Sequence, residues 1–143
     1  RKPLLWDNFP VNDAKRLTSF LHLFGHARRG DGGFQLEVIS QCCSGLLANP
    51  MNQAYLSQIP LRSLGVQWQQ LQGRATPPTP VSPVLALLAE DSETFQLQGL
   101  ERIDAATHAS LQPRYRALLP DPMAQEVCDW LDGKYAFDPA CLT

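Results

Sequence analysis

Long hydrophobic runs, a basic stripe and a paired cysteine motif are all missing from this sequence, and each absence closes off a class of function. The longest apolar stretches, such as Val84 to Ala89 and Gly45 to Ala48, fall far short of the roughly 20 residues that cross a bilayer. No transmembrane helix and no membrane partner are expected. With 12 basic and 14 acidic residues and a formal charge of -2, the chain has no electrostatic footprint for nucleic acid. The four cysteines, Cys42, Cys43, Cys128 and Cys141, fit neither a dense disulfide framework nor a zinc site built from C-x-x-C pairs. They read as buried free thiols in a reducing compartment. His22 and His26 have the i, i+4 spacing that lets two ligands share a helix face, but Gly25 and the run Gly30, Gly32, Gly33 oppose a stable helix there. No metal and no cofactor are expected. The start has no signal-peptide pattern and Arg1 is not an initiator methionine, so the chain is expected to begin inside a longer protein. The compartment stays open, with the cytoplasm favoured.

What is present is enough for one ordinary core: 143 residues, 44% of them hydrophobic. The stretch Leu4 to Asp13 organises the rest. Its apolar start predicts a short strand, and Pro10, which has no N–H to donate, ends the run. Asp7, Asn8, Asn12 and Asp13 then fall on the loop leaving the strand. In a barrel of parallel strands that is the mouth where substrates are held, although Asn and Asp are also common in plain turns. Ser44 to Pro50 repeats the layout, with an apolar run, an Asn and a Pro.

Between these runs the apolar spacing of Leu17, Phe20, Leu21 and Phe24 predicts a helix over 14–24 with Asp13 as N-cap. Residues 26–33 read as an exposed loop carrying Arg28 and Arg29, and 34–43 is ambiguous between helix and strand. Residues 52–68 read as helical, with Pro60 kinking or restarting the helix. Four prolines and a glycine in 69–83 mark a linker. Beyond it the spacing predicts a helix opening at Val84, a second over 92–111 ended by Pro113, and a third after Asp121 and Pro122 with Val127, Trp130 and Leu131 on its apolar side. Tyr135 and Phe137 are expected to anchor the tail, while Asp91, Glu93 and Asp104 read as a solvated face.

Three pieces together resemble glycoside hydrolase family 84, the β-N-acetylglucosaminidases that include protein O-GlcNAcases. They are Leu5-Trp6-Asp7-Asn8-Phe9-Pro10-Val11-Asn12-Asp13, then Gly45-Leu46-Leu47-Ala48-Asn49-Pro50-Met51-Asn52-Gln53, and Asp129-Trp130-Leu131-Asp132-Gly133-Lys134-Tyr135 with Phe137-Asp138-Pro139. The resemblance implies an α/β fold: the last units of a (β/α)8 TIM barrel over 1–72, a linker at 73–83 and a small all-helical domain over 84–143. It further implies that Asn8, Asp13 and Asn49 contact the sugar at the subsite of cleavage and that Trp6 walls the pocket. Asp7 and Asn12 remain structural in this reading.

The family's catalytic groups are two neighbouring aspartates that work with the substrate's own acetamido group, the substrate-assisted form of retaining hydrolysis. No adjacent Asp-Asp pair occurs here, and a full barrel needs about 250 residues. The expected parent is therefore a β-N-acetylglucosaminidase acting on N-acetylglucosamine-containing glycans or glycoproteins, in which this chain supplies sugar contacts but no catalytic residue. Its other partner would be the missing N-terminal part of the barrel. The alternative is a non-catalytic helical scaffold or protein-binding module.

Overall fold

A computed structural model describes residues 1–13, 18–23, 36–78 and 80–135. The chain is mixed α/β, mostly helical, with a small two-stranded sheet. Strand β1 spans Leu4–Pro10 and strand β2 spans Gly45–Asn49, paired in parallel with Leu4 opposite Gly45 and Asp7 opposite Ala48. Ser44 starts the pairing: its N–H donates to the Pro3 carbonyl at 2.8 Å and its hydroxyl to Lys2 O at 3.1 Å. Parallel neighbours require a crossover connection, and helix α1, Leu36–Cys42, lies on that connection. The ambiguity over 34–43 thus resolves to helix for the described part.

Helix α2, Ala54–Leu71, runs unbroken through Pro60, burying Leu56, Ile59 and Leu64. After the proline-rich stretch, Ser82 caps helix α3, Pro83–Glu93, accepting the Leu85 N–H, with Pro83 in the first turn where its missing N–H costs nothing. Helix α5, Pro122–Leu131, begins the same way: Asp121 Oδ1 accepts the N–H groups of Met123 and Ala124 at 2.8 and 3.3 Å.

The single helix expected over 92–111 is instead two. The α3 helix widens into a π-turn at Thr94–Gln98, stops at Gly99, passes a 3-10 turn at Leu100–Arg102, and restarts as α4, Ala105–Arg116. Gly99 has a φ of 69°, a conformation that costs a side chain energy. A Cβ there would also sit 2.8 Å from Ser19 O and from the Phe20 ring. Gly99→Ala is therefore expected to destabilise the chain by about 2 kcal/mol or more, read as a lowered urea midpoint with an unchanged slope. Asp104 is not merely solvated: its carboxylate accepts the Thr107 N–H at 2.7 Å and caps α4. That bond holds its pKa below the usual carboxylate value. Pro113 does not end α4 but lies within it.

The helix expected over 14–24 is absent from its described part. Residues 20–23 have no helical structure, and the segment is instead pinned to the α3 end, with Leu21 N–H on Phe95 O at 3.1 Å and Leu100 N–H on Ser19 O at 2.6 Å. Leu21 and Leu23 are buried while Phe20 and His22 are partly exposed, an alternation with period two. Residues 14–17 and 24, and with them Leu17 and Phe24, lie outside the described residues, as do His26, Arg28, Arg29, Phe137 and Cys141.

Asp91, also expected on a solvated face, is buried. Its Oδ1 meets Arg114 Nη1 at 2.8 Å and its Oδ2 accepts the Tyr115 hydroxyl at 3.0 Å, while Glu90 takes the other arginine nitrogen at 2.7 Å. Burial, with the Asp91 charge adding to it, drives the Tyr115 pKa far upward, so this phenol stays a donor. Cys42 is exposed rather than buried, Cys43 is partly so, and Cys128 is in the core; all three are free thiols. The core itself is continuous across the chain: Leu21, Leu23, Met51 and Leu56 pack with Val84, Phe95, Tyr115, Val127 and Trp130. Residues on both sides of the proline-rich stretch contribute to it. Among the described residues, no helix is long and apolar enough to cross a membrane.

Candidate functional site

Strand periodicity builds the candidate site. Asp7 and Asn8, expected on the loop, belong to β1 itself, because the strand pairing runs on past the apolar residues and Pro10 falls only after the register slips. Successive side chains alternate between faces, so Trp6 and Asn8 share one face of β1 and Asp7 takes the other. Burial follows that split: Asp7 is 3% exposed and Trp6 63%. Asp7 Oδ1 accepts the Phe9 N–H at 3.0 Å, an Asx turn that folds the strand end. The regular register runs to Asp7 opposite Ala48 and then slips, placing Pro10 opposite Asn49.

At that end of the sheet Asn8 is the shared partner. The indole N–H of Trp6 donates to Asn8 Oδ1 at 2.8 Å, and Asn49 Nδ2 approaches the same oxygen at 3.5 Å. An indole nitrogen can only donate, so the amide must turn its oxygen toward Trp6. That orientation leaves the Asn8 Nδ2 group as a donor. Three of the four expected sugar contacts, Trp6, Asn8 and Asn49, are thereby brought together at the C-terminal ends of two parallel strands. Asp13 is exposed, and among the described residues no hydrogen bond joins it to the other three.

Asn12, read from sequence as a plain turn residue, does much more. It is fully buried. Its Nδ2 donates to Phe20 O at 3.0 Å and to Gln53 Oε1 at 2.8 Å, while its Oδ1 accepts the Asn52 N–H at 2.9 Å. The loop after β1, the segment 18–23 and the loop after β2 are thus tied by one amide. Gln53, fully buried, had no signal in the sequence beyond its place after Asn49. Next to this knot His22 donates its backbone N–H to Met51 Sδ at 3.2 Å. Its ring stacks with Phe20, 6.5 Å between centroids at 18°. Burial lowers the imidazole pKa, so the ring is neutral at pH 7. Among the described residues no three His, Cys, Asp or Glu side chains are grouped to hold a metal ion.

A second missed residue is Glu126 on α5, 8% exposed. Its Oε1 accepts the Tyr55 N–H at 3.0 Å and its Oε2 the Leu56 N–H at 2.8 Å. These are two of the orphan donors at the start of α2 that a capping side chain usually satisfies. Gln53, in the capping position, makes no such bond. A signal existed: Glu126 is four residues before Trp130, which puts a carboxylate on the apolar side of α5.

A cleft of about 880 Å³ lies elsewhere, between α2 and the starts of α3 and α5, lined by Tyr55, Ile59, Val84, Leu85 and Met123 among others. None of the four expected sugar contacts lines it. Of its polar side chains, Asp121 caps α5, Ser82 caps α3 and Arg62 donates to the Pro78 carbonyl at 2.5 Å, while Tyr55, Gln58 and Ser63 also line it. The strand ends, where Trp6 and Asn49 converge on Asn8, remain the better candidate.

Chemically, the strand ends offer an exposed aromatic ring from Trp6 and amide groups from Asn8 and Asn49, with the exposed Asp13 carboxylate five residues after Asn8 in sequence. Among the described residues no two carboxylates converge there for acid and base work. Comparison with known proteins bears on whose site this is. No curated protein and no solved structure matches the chain. The sequence model that does match describes β-N-acetylglucosaminidases and covers residues 1–94, which include both strands and all four residues just described. With 94 of its 143 residues inside that match, the chain belongs to the β-N-acetylglucosaminidase family.

Proposed function

We propose that the chain forms part of the sugar subsite of a retaining β-N-acetylglucosaminidase that releases terminal N-acetylglucosamine from glycans or glycoproteins. The observation that carries this reading is the convergence of Trp6 and Asn49 on Asn8 at the C-terminal ends of two parallel strands. In a (β/α)8 barrel, substrates are held at that end. Asn8 donates to a sugar hydroxyl through Nδ2, Asp13 accepts from hydroxyls, Asn49 adds a further polar contact, and the Trp6 ring walls the pocket.

The strands also support a barrel that is continued by other residues. The face of the sheet bearing Leu4 and Trp6 is open, with both side chains more than half exposed, and Leu47 is 47% exposed. Neighbouring strands and the rest of a barrel would cover such apolar surface. The catalytic pair would come from that portion too, since this sequence has no adjacent aspartates. Substrate assistance then works as follows: one aspartate orients the acetamido group, whose carbonyl oxygen attacks the anomeric carbon. The other protonates the leaving oxygen and later deprotonates water. This chain's residues hold the ring while that occurs.

The test is hydrolysis of an aryl N-acetyl-β-glucosaminide with product stereochemistry followed by NMR. The whole protein that carries this chain is expected to release the β-anomer first, while the isolated 143 residues give no turnover. Inversion, or turnover by the pure chain alone, overturns the reading. A whole protein that neither hydrolyses nor binds N-acetylglucosamine points instead to a non-catalytic module.

A further inference from the structure

We propose that Glu126, which lies beyond the family-matched residues, is a positioning residue for the strand-end site: its carboxylate fixes the start of α2 and, through it, the loop that carries Asn49. The mechanical part stands on geometry alone; its consequence for sugar binding rests on the function proposed above.

Residues 50–53 join Asn49, the last residue of β2, to Ala54, the first of α2. This loop takes its shape from two sides. Asn12, after β1, holds Asn52 and Gln53. Ser57, in the first turn of α2, accepts the Met51 N–H at 2.9 Å and donates to Gln53 O at 2.7 Å. The second anchor is only as fixed as the first turn of α2. That turn has no cap of its own, because the Gln53 side chain is committed to Asn12. Glu126 supplies the cap from another helix, with one carboxylate oxygen on each of two successive N–H groups. The negative charge also suits the positive end of the α2 dipole.

From the strand side Asn49 is held at the irregular end of the ladder, opposite Pro10, which has no N–H to donate. Its contact with Asn8 is 3.5 Å, at the outer limit for a hydrogen bond. The placement of the Asn49 side chain against Asn8 is therefore set from the loop and from α2 as well as from the strand. Helix α5 makes a rigid base for this arrangement, since Ala124, Val127, Cys128 and Trp130 on either side of Glu126 are all in the core. The helical part of the chain thus works as a brace on the sugar subsite.

The experiment uses the whole protein that carries this chain, as wild type, Glu126→Gln, Glu126→Ala and Asp129→Asn. Asp129 is on the same helix, and among the described residues its carboxylate meets only Gln125 and Lys134. Hydrogen exchange is measured by peptide, and KM and kcat are measured on an aryl N-acetyl-β-glucosaminide. Glu126→Gln keeps the shape but offers one acceptor oxygen instead of two. It is expected to speed exchange over 50–57 about ten-fold, to leave 4–9 unchanged, and to raise KM roughly three- to ten-fold with kcat within about two-fold. Asp129→Asn is expected to match wild type. A merely stabilising role gives a different pattern: fewer folded molecules lower kcat, leave KM alone and speed exchange throughout. That pattern overturns the proposal, as does unchanged exchange over 50–57. Should Glu126→Ala fail to fold, the isosteric Gln variant still decides. Should the wild type hydrolyse nothing, the glycosidase function fails, and the exchange pattern alone upholds or overturns the brace.

Discussion

Trp130→Ala is expected to remove about 3–5 kcal/mol of folding stability, enough to lower the melting temperature by roughly 10–20 °C. Trp130 is 1% exposed and meets Phe95 edge-on, with ring centroids 5.3 Å apart at 81°. Its indole N–H donates to Thr18 O at 3.2 Å, which ties the last described helix to a segment near the start of the chain. Truncation therefore leaves a cavity, removes an aromatic pair and takes the partner from a carbonyl that is partly shielded from water. Trp6 provides the contrast, because it is 63% exposed and Trp6→Ala is expected to change stability by no more than about 0.5 kcal/mol. Urea unfolding of the two variants checks both. A loss below about 1 kcal/mol at Trp130 would show that the core spanning the two sides of the proline-rich stretch does not fold as one unit.

The sequence announced those elements whose signals are local. The α5 helix was legible in full, since Asp121 caps it, Pro122 suits its first turn and its apolar residues recur at helical spacing up to Gly133. The two strands were legible as short apolar runs near proline, but the extent of β1 was not: Asp7 and Asn8, expected on the loop, and Pro10, expected beyond the strand, all belong to it. The misreadings share a cause, which is that a partner distant in sequence outweighed the local pattern. Leu17, Phe20, Leu21 and Phe24 satisfy a helical spacing, yet Leu21 and Leu23 satisfy a strand-like one, and the backbone of Phe95 and Leu100 selects the second over residues 19–23. Over 92–111 the apolar count concealed Gly99, whose positive φ breaks the helix, and Asp104, whose cap restarts it. Asp91 looked solvated because its arginine and tyrosine are 23 and 24 residues away. The candidate site divides in the same way. Trp6 and Asn8 are two apart on one strand, and their contact follows from strand geometry. The bonds of Asn12 to Gln53, and of Glu126 to the start of α2, cross 41 and 70 residues, so that even where helical spacing marked Glu126 as a carboxylate on an apolar face, nothing local named its partner.

Asp13→Ala is expected to weaken N-acetylglucosamine binding, or raise KM, by about 10- to 100-fold in the whole protein while leaving its fold intact. The magnitude follows from the chemistry of the group: a hydrogen bond to a carboxylate contributes roughly 1.5–3 kcal/mol, which is one to two powers of ten in affinity. The fold is expected to survive because Asp13 is exposed, whereas the neighbouring Asn12 carries the buried bonds that set the loop. Asn12 also fixes where the Asp13 backbone starts, so the carboxylate needs little ordering when the sugar arrives, and less of its interaction is lost to entropy. Asp13→Asn gives a sharper reading than alanine. An amide keeps one acceptor oxygen and loses the charge, so it should recover part of the affinity, whereas a residue needed only for its shape would be fully rescued by asparagine. On the function proposed above Asn8 donates and Asp13 accepts, so the two contacts would act on different hydroxyl lone pairs and protons of the same ring. The double variant Asn8→Ala, Asp13→Ala should then lose close to the sum of the single losses, and strong non-additivity would mean that the two side chains hold each other rather than the sugar. Titration calorimetry of the four proteins with N-acetylglucosamine decides it: a single Asp13→Ala variant that binds within about two-fold of wild type removes Asp13 from the subsite.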